Sequence, residues 1–186
     1  MKHLRLFFAL AALVSSFGCS DARKYRDDRY WTEHVAGDIK LQAPVDIYRS
    51  RKMEKEAESD GPSTAVIYTS TPDKVFRVVV SRIDVLSEIE LDIDRMIAGG
   101  DRAMSESIGD SSPVVTSSPC EWRGVVCRRG SFTAKDKGRP FRVLSLHLLR
   151  DRTLWSVSVG YSDEADKTYA ERVLNSVGLI QRDEQP

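Results

Sequence analysis

Two histidines lie beyond the first 18 residues, His34 and His147. His147 stands in an apolar run where it shares a face with Val143, Ser145 and Leu149, while Leu144, Leu146 and Leu148 take the other. An imidazole held between a serine hydroxyl and a carboxylate is the machinery of acyl-group hydrolysis. One reading is therefore a small envelope hydrolase using His147 with a loop serine and an acid. The plainer reading is a strand histidine satisfied by its neighbours. A second cluster is Glu88, Glu90, Asp92 and Asp94, alternating with Ile89, Leu91 and Ile93. Carboxylates at that density can take calcium or another small ligand. The glycine that a calcium-binding helix–loop–helix needs is missing and Arg95 follows, so a solvated edge running into a helix start explains the same residues. Gly109-Asp110-Ser111 has the look of a serine-esterase block, but it follows a helix and no Asp-x-x-His occurs downstream. The expectation is no catalytic, cofactor-binding or metal-binding residue, and a chain that is not an enzyme.

The three cysteines are more informative. Lys2, His3 and Arg5 precede an unbroken apolar run from Leu6 to Val14. That run is short of the roughly 20 residues a permanent span requires, and it has the length of a secretion-signal core. Residues 1–18 therefore read as a signal peptide. Gly18-Cys19 resembles a bacterial lipobox, in which a small residue precedes the cysteine that receives diacylglycerol; Ser16 and Phe17 depart from the pattern. Lipidation of Cys19 would anchor the mature chain to a bacterial membrane, facing the periplasm or the exterior. Ordinary signal-peptidase cleavage after Gly18 or Ala22, giving a soluble secreted protein, is the alternative. With Cys19 acylated, Cys120 and Cys127 remain as an even pair in an oxidising compartment. A hairpin turning at Arg123-Gly124 sets them opposite one another, within disulfide reach; otherwise they are two small buried hydrophobes. Their spacing fits neither a redox CxxC motif nor a zinc site.

Bulk composition narrows the classes further. Hydrophobic residues make up 41% and charged residues 30% of 186, an ordinary globular balance. Lys2 and Arg5 leave with the leader, so 26 basic residues face 28 acidic ones in the mature chain, a net of −2. No basic footprint for nucleic acid exists. The partners implied are the membrane, through the lipid, and an envelope protein.

These residues need elements to position them. Residues 20–30 (SDARKYRDDRY) are charged without apolar period and read, with Cys19, as a tether spanning 19–30; the globular domain then runs 31–180 and residues 181–186 form a polar tail. Residues 37–44 alternate and stop at Pro44, as a strand does. Residues 45–50 suggest a second strand, and 51–63 a charged loop. Residues 65–69 and 75–83 are β-rich. From Asp92 to Ser107 the period becomes helical, with Ser87 or Asp92 as cap and Gly109 as stop. Strands follow at 114–116, 125–133, 141–150 and 153–161, the last two joined by the tight link Asp151-Arg152. Trp122 sits at a hairpin tip. Ser162-Asp163-Glu164 opens a final helix with Ala165, Tyr169, Val173, Leu174 and Val177 on its apolar face. The expected fold is α+β: an antiparallel sheet flanked by a central and a C-terminal helix.

That order of elements, with Ile39 to Pro44, Trp122-Arg123-Gly124, Trp155-Ser156-Val157-Ser158-Val159, Ser162-Asp163-Glu164 and Leu174-Asn175-Ser176-Val177 in place, resembles proteins similar to the photosystem II subunit PsbP and the bacterial DcrB-like envelope lipoproteins. The resemblance covers residues 31–180. It implies a PsbP-like α/β/α sandwich and a non-catalytic binding, assembly or accessory role, and it supplies no catalytic residues. The cysteine pair and the charged stretch at 51–61 depart from the pattern.

Overall fold

The computed structural model describes residues 24–58, 63–70, 76–86, 91–109, 112–122, 125–136 and 138–180. The signal, Cys19, Ser87, Glu88, Glu90, Asp110, Ser111 and the Arg123-Gly124 turn lie outside these residues. Strands β1 (Thr32–Ala36), β2 (Ile39–Ala43) and β3 (Ile47–Arg49) lead into helix α1 (Arg51–Glu58), then β4 (Ser63–Ser70) and β5 (Phe76–Val85). Helix α2 (Ile93–Ile108) precedes β6 (Val114–Trp122), β7 (Val125–Asp136), β8 (Arg139–Arg150) and β9 (Thr153–Tyr161). A 3-10 turn at Glu164–Asp166, helix α3 (Lys167–Asn175) and β10 (Gly178–Leu179) complete the chain.

Seven strands form one antiparallel sheet in the order β3-β4-β5-β9-β8-β7-β6, and β1-β2-β10 form a smaller one. Central strands alternate between two cores. Val79, Ile83, Val143, Leu154 and Phe132 face α1 and α2. Phe76, Val78, Val80, Leu146, Leu148, Val157 and Val159 face α3 and the small sheet. Burial on both faces explains why β5, β8 and β9 are apolar in both directions. The architecture is the expected α+β sandwich, with the three-stranded sheet as an added layer beside α3.

Local chemistry sets the elements. Asp92 caps α2 by accepting from the N–H groups of Asp94 and Arg95, and Gly109 stops it in the left-handed region at φ 74°. Asp151 also takes a left-handed turn, φ 55°, to close the β8–β9 hairpin. Three expectations are corrected. Residues 51–58 are helix, not loop: Met53, Glu54 and Ala57 are buried on one face, and the Glu54 carboxylate accepts from Arg49 Nε at 2.6 Å and the Ile67 N–H at 3.1 Å. A strand precedes the one expected at 37–44, paired with it through the Gly37-Asp38 turn. The domain also begins before Trp31. Lys24–Arg26 and Asp28–Tyr30 are 3-10 turns seated on the domain, because Tyr25 is buried in the core at 2% exposure. Residues 24–30, expected to belong to the tether, are thus part of the folded domain.

Cys120 and Cys127 stand opposite one another in β6 and β7 and are bonded, with Cα atoms 5.0 Å apart. The bridge closes a short loop, which limits its entropic contribution to about 2–3 kcal/mol. The double variant C120S/C127S is expected to lower unfolding free energy in urea by about 2 kcal/mol with the fold retained; an unchanged midpoint would contradict this.

Candidate functional site

The structure places His147 on β8 facing the α2 side of the sheet, 4% exposed. Its Nδ1 lies 2.8 Å from Ser156 Oγ and its Nε2 2.9 Å from Ser145 Oγ. Register explains the contact: Ser156 is the cross-strand partner of His147, and Ser145 lies two residues away on the same face. Gly130, opposite Ser145, leaves room for that hydroxyl, since a Cβ there would approach Ser145 Oγ to 2.6 Å. Ser81 and Ser158 extend the buried polar strip. Burial pushes the His147 pKa down to about 4, so the ring is neutral, donating to one hydroxyl and accepting from the other. A catalytic triad needs a carboxylate behind the imidazole and a nucleophile facing substrate. Here both ring nitrogens are taken by strand serines on a covered face.

The other sequence candidates are separated in space. His34 bonds Thr32 Oγ1 at 2.9 Å on the small sheet. Of the acidic segment, Asp92 is spent on the α2 cap, and Asp94 grips Arg128 at 2.8 and 2.9 Å. Among the described residues no group of three or more His, Cys, Asp or Glu side chains gathers to hold a metal. Trp122 is half-buried and packs against the α3-side core.

Another long-range polar constellation lies where the chain entering the domain meets the start of α3. Asp163 caps the turn by accepting from the Ala165 N–H. Asp166 is fully buried, and a buried carboxylate is tolerated only with partners. Tyr25 donates its hydroxyl to Asp166 Oδ2 at 2.7 Å. Arg26 holds Asp166 Oδ1 through Nε at 2.9 Å and Nη2 at 2.6 Å. The Tyr25 ring stacks on Phe76 at 4.9 Å and meets Tyr169 edge-on at 5.9 Å. Burial, followed by the neighbouring Asp166 carboxylate, pushes the Tyr25 phenol far above its ordinary pKa. Trp31 Nε1 donates to the Tyr25 carbonyl at 2.9 Å. Arg172 lies 3.9 Å above the Trp31 ring and pairs with Asp28.

Beside this clamp an open groove of about 590 Å³ runs between β2 and α3, its walls including Glu33, Lys40, Gln42, Glu171, Arg172 and Asn175. Ser176 ties the two walls by accepting from the Gln42 N–H at 2.8 Å. Mixed charge and polar amides suit a polar segment of a partner rather than an apolar ligand. Sequence reasoning missed Tyr25, Arg26 and Asp166 as a unit. The available signal was the aromatic pair Tyr25 and Tyr30 in a stretch otherwise read as solvated.

No family model matches the sequence, and neither does any curated protein. Among solved structures, the chain is similar to the solution structure of cyanobacterial PsbP (CyanoP) from Synechocystis sp. PCC 6803. Identity is 11% and the TM-score 0.58, over 91% of this chain and 99% of that one. Lower similarity links it to LpqN of Mycobacterium tuberculosis, involved in cell envelope biogenesis, at 13% identity and TM-score 0.43 over 88% and 99% of the two chains. A Pseudomonas aeruginosa protein of unknown function, PA94, gives 10% and 0.39 over 76% and 89%. The fold is PsbP-like.

One partly buried acid and one buried base give a pH test. Asp101 on α2 is partly buried, and desolvation raises its pKa to about 6. In the unfolded chain carboxylates titrate near 3.9 and histidine near 6.5. His147 binds fewer protons folded than unfolded between about pH 6.5 and 4, so it costs stability as pH falls through that window. Asp101 binds more protons folded, so its ionised form costs stability above about pH 6 and the cost fades toward pH 4. Asp101→Asn is therefore expected to stabilise the protein at pH 7 by on the order of 1–2 kcal/mol after solvent screening. The advantage should shrink to nothing near pH 4. Urea melts across this range check it; a pH-independent difference would contradict it.

Proposed function

We propose that this chain is an exported envelope protein, held at a bacterial membrane by acyl chains on Cys19, whose PsbP-like domain binds or stabilises a partner rather than catalysing a reaction. The observation that carries the reading is the state of the cysteines. Cys120 and Cys127 are bonded to each other, a pairing suited to an oxidising compartment, and Cys19 alone is left, at the end of an apolar leader and behind Gly18. Two acyl chains on one terminus give stable attachment, which one chain does not. A binding role is supported by the enclosed His147 network and by the open polar groove between β2 and α3. An accessory or assembly role is also what the likeness to PsbP-like proteins implies.

Mass spectrometry of the mature protein expressed in a bacterial host tests this. The expected N-terminal peptide begins at Cys19 and carries diacylglycerol, and the Cys19→Ser variant loses both the lipid and the membrane fraction. A mature chain that retains Met1, or begins beyond Cys19 without lipid, would overturn the proposal.

A further inference from the structure

The Tyr25 clamp has an orientation. Tyr25 seats beside Phe76, the first residue of β5, and Phe76 pairs with Tyr161, the last residue of β9. From there the two strands run together to Asp84 and Thr153, and Val85 then accepts from Arg152. At about 3.3 Å per residue, the end of the sheet that carries Leu86 and Arg152 lies roughly 30 Å from the clamp. Six residue steps separate Cys19 from Tyr25. Even fully extended, they reach no more than about 22 Å.

Resting on the acylation of Cys19 proposed above, we infer that the clamp end of the domain faces the lipid surface, held there by a short standoff, and that the Leu86 end points away. The reach of the link forbids the inverted arrangement, because the clamp would then sit farther from the bilayer than the link can span. The anchor point is firm. Tyr25 is buried, Arg26 donates two N–H groups to Asp166 Oδ1, and Trp31 is fixed under Arg172.

Charge does not supply the attachment. At the clamp Arg26 pairs with Asp163 and Asp166, Arg29 with Asp27, Arg172 with Asp28, and Arg142 with Glu164. These guanidinium groups, each answered by a carboxylate, are poor ligands for anionic headgroups. The proximity is therefore set by covalent length and is insensitive to salt and to lipid charge. The groove shares Arg172 with the clamp, so a partner seated in it is met close to the bilayer.

The test uses the intact lipidated protein, whose Cys19 is blocked and whose other cysteines are bonded. A fluorophore is placed at Tyr30→Cys or Leu86→Cys, both exposed positions, and the protein is bound to phosphatidylcholine vesicles containing a lipid with a headgroup quencher. Quenching is expected to be several-fold stronger at position 30 than at 86. It should stay so at high salt and with anionic lipid added. Inserting ten Gly/Ser residues between Ala22 and Arg23 should preserve flotation while cutting the quenching at position 30 several-fold. Equal or reversed quenching, or indifference to the insertion, in protein that floats with vesicles would overturn the orientation alone. Protein that carries no lipid and does not float would overturn both the orientation and the proposed anchoring.

Discussion

Asp166 is a carboxylate with no access to solvent, at the point where β9 hands over to α3. Such a group is costly unless its charge is answered, and removing a partner from a buried pair costs more than the pair contributes. Among the described residues, the side chains that bond it come from residues 25 and 26. A segment 140 positions earlier in the chain is thereby made part of the fold. Tyr25 adds apolar surface to the bond by stacking on Phe76, and Trp31 and Tyr169 close over it. The entry segment, α3 and the start of β5 thus stand or fall together.

The same rule governs the opposite face of the large sheet. Burial on both faces demands apolar residues in β5, β8 and β9, and the strip from Ser81 through Ser156 and Ser158 to Ser145 and His147 violates it. His147 and its two serines satisfy one another within the sheet, and Gly130 gives the space. A polar network so enclosed specifies register, because sliding β8 by one residue against β9 would separate His147 from Ser156. It does so at the expense of acid tolerance, since the ring must stay neutral.

Elements with strong local signals were legible in the sequence. Helix α2 was marked by its helical period, the Asp92 cap and Gly109; the β8–β9 hairpin by two apolar runs flanking Asp151-Arg152; the cysteine pair by its place around a turn. The rest depended on distant partners. Helix α1 has six charged residues in eight, and its burial of Glu54 makes sense only once Arg49 and Ile67 are beside it. Strand β1 exposes Thr32 and Glu33 and is a strand because β2 pairs with it. Tyr25 lies in a stretch whose charges look solvated, yet two of them, Arg26 and Asp28, belong to ion pairs with the α3 region. Of the candidate site, the disulfide could be read from the sequence. The clamp and groove could not, because they join the two termini of the domain.

Function in this account follows from where the fold begins. With the chain packed from Tyr25 onward, the acylation of Cys19 proposed above would set the domain's stance at a membrane by covalent length rather than by affinity. Hydrogen–deuterium exchange on the mature protein measures this most directly. Peptides covering residues 25–31 should exchange as slowly as those from α3, and Asp166→Asn should raise exchange in both regions together. Rapid exchange at 25–31 beside a well-protected α3 would contradict the account.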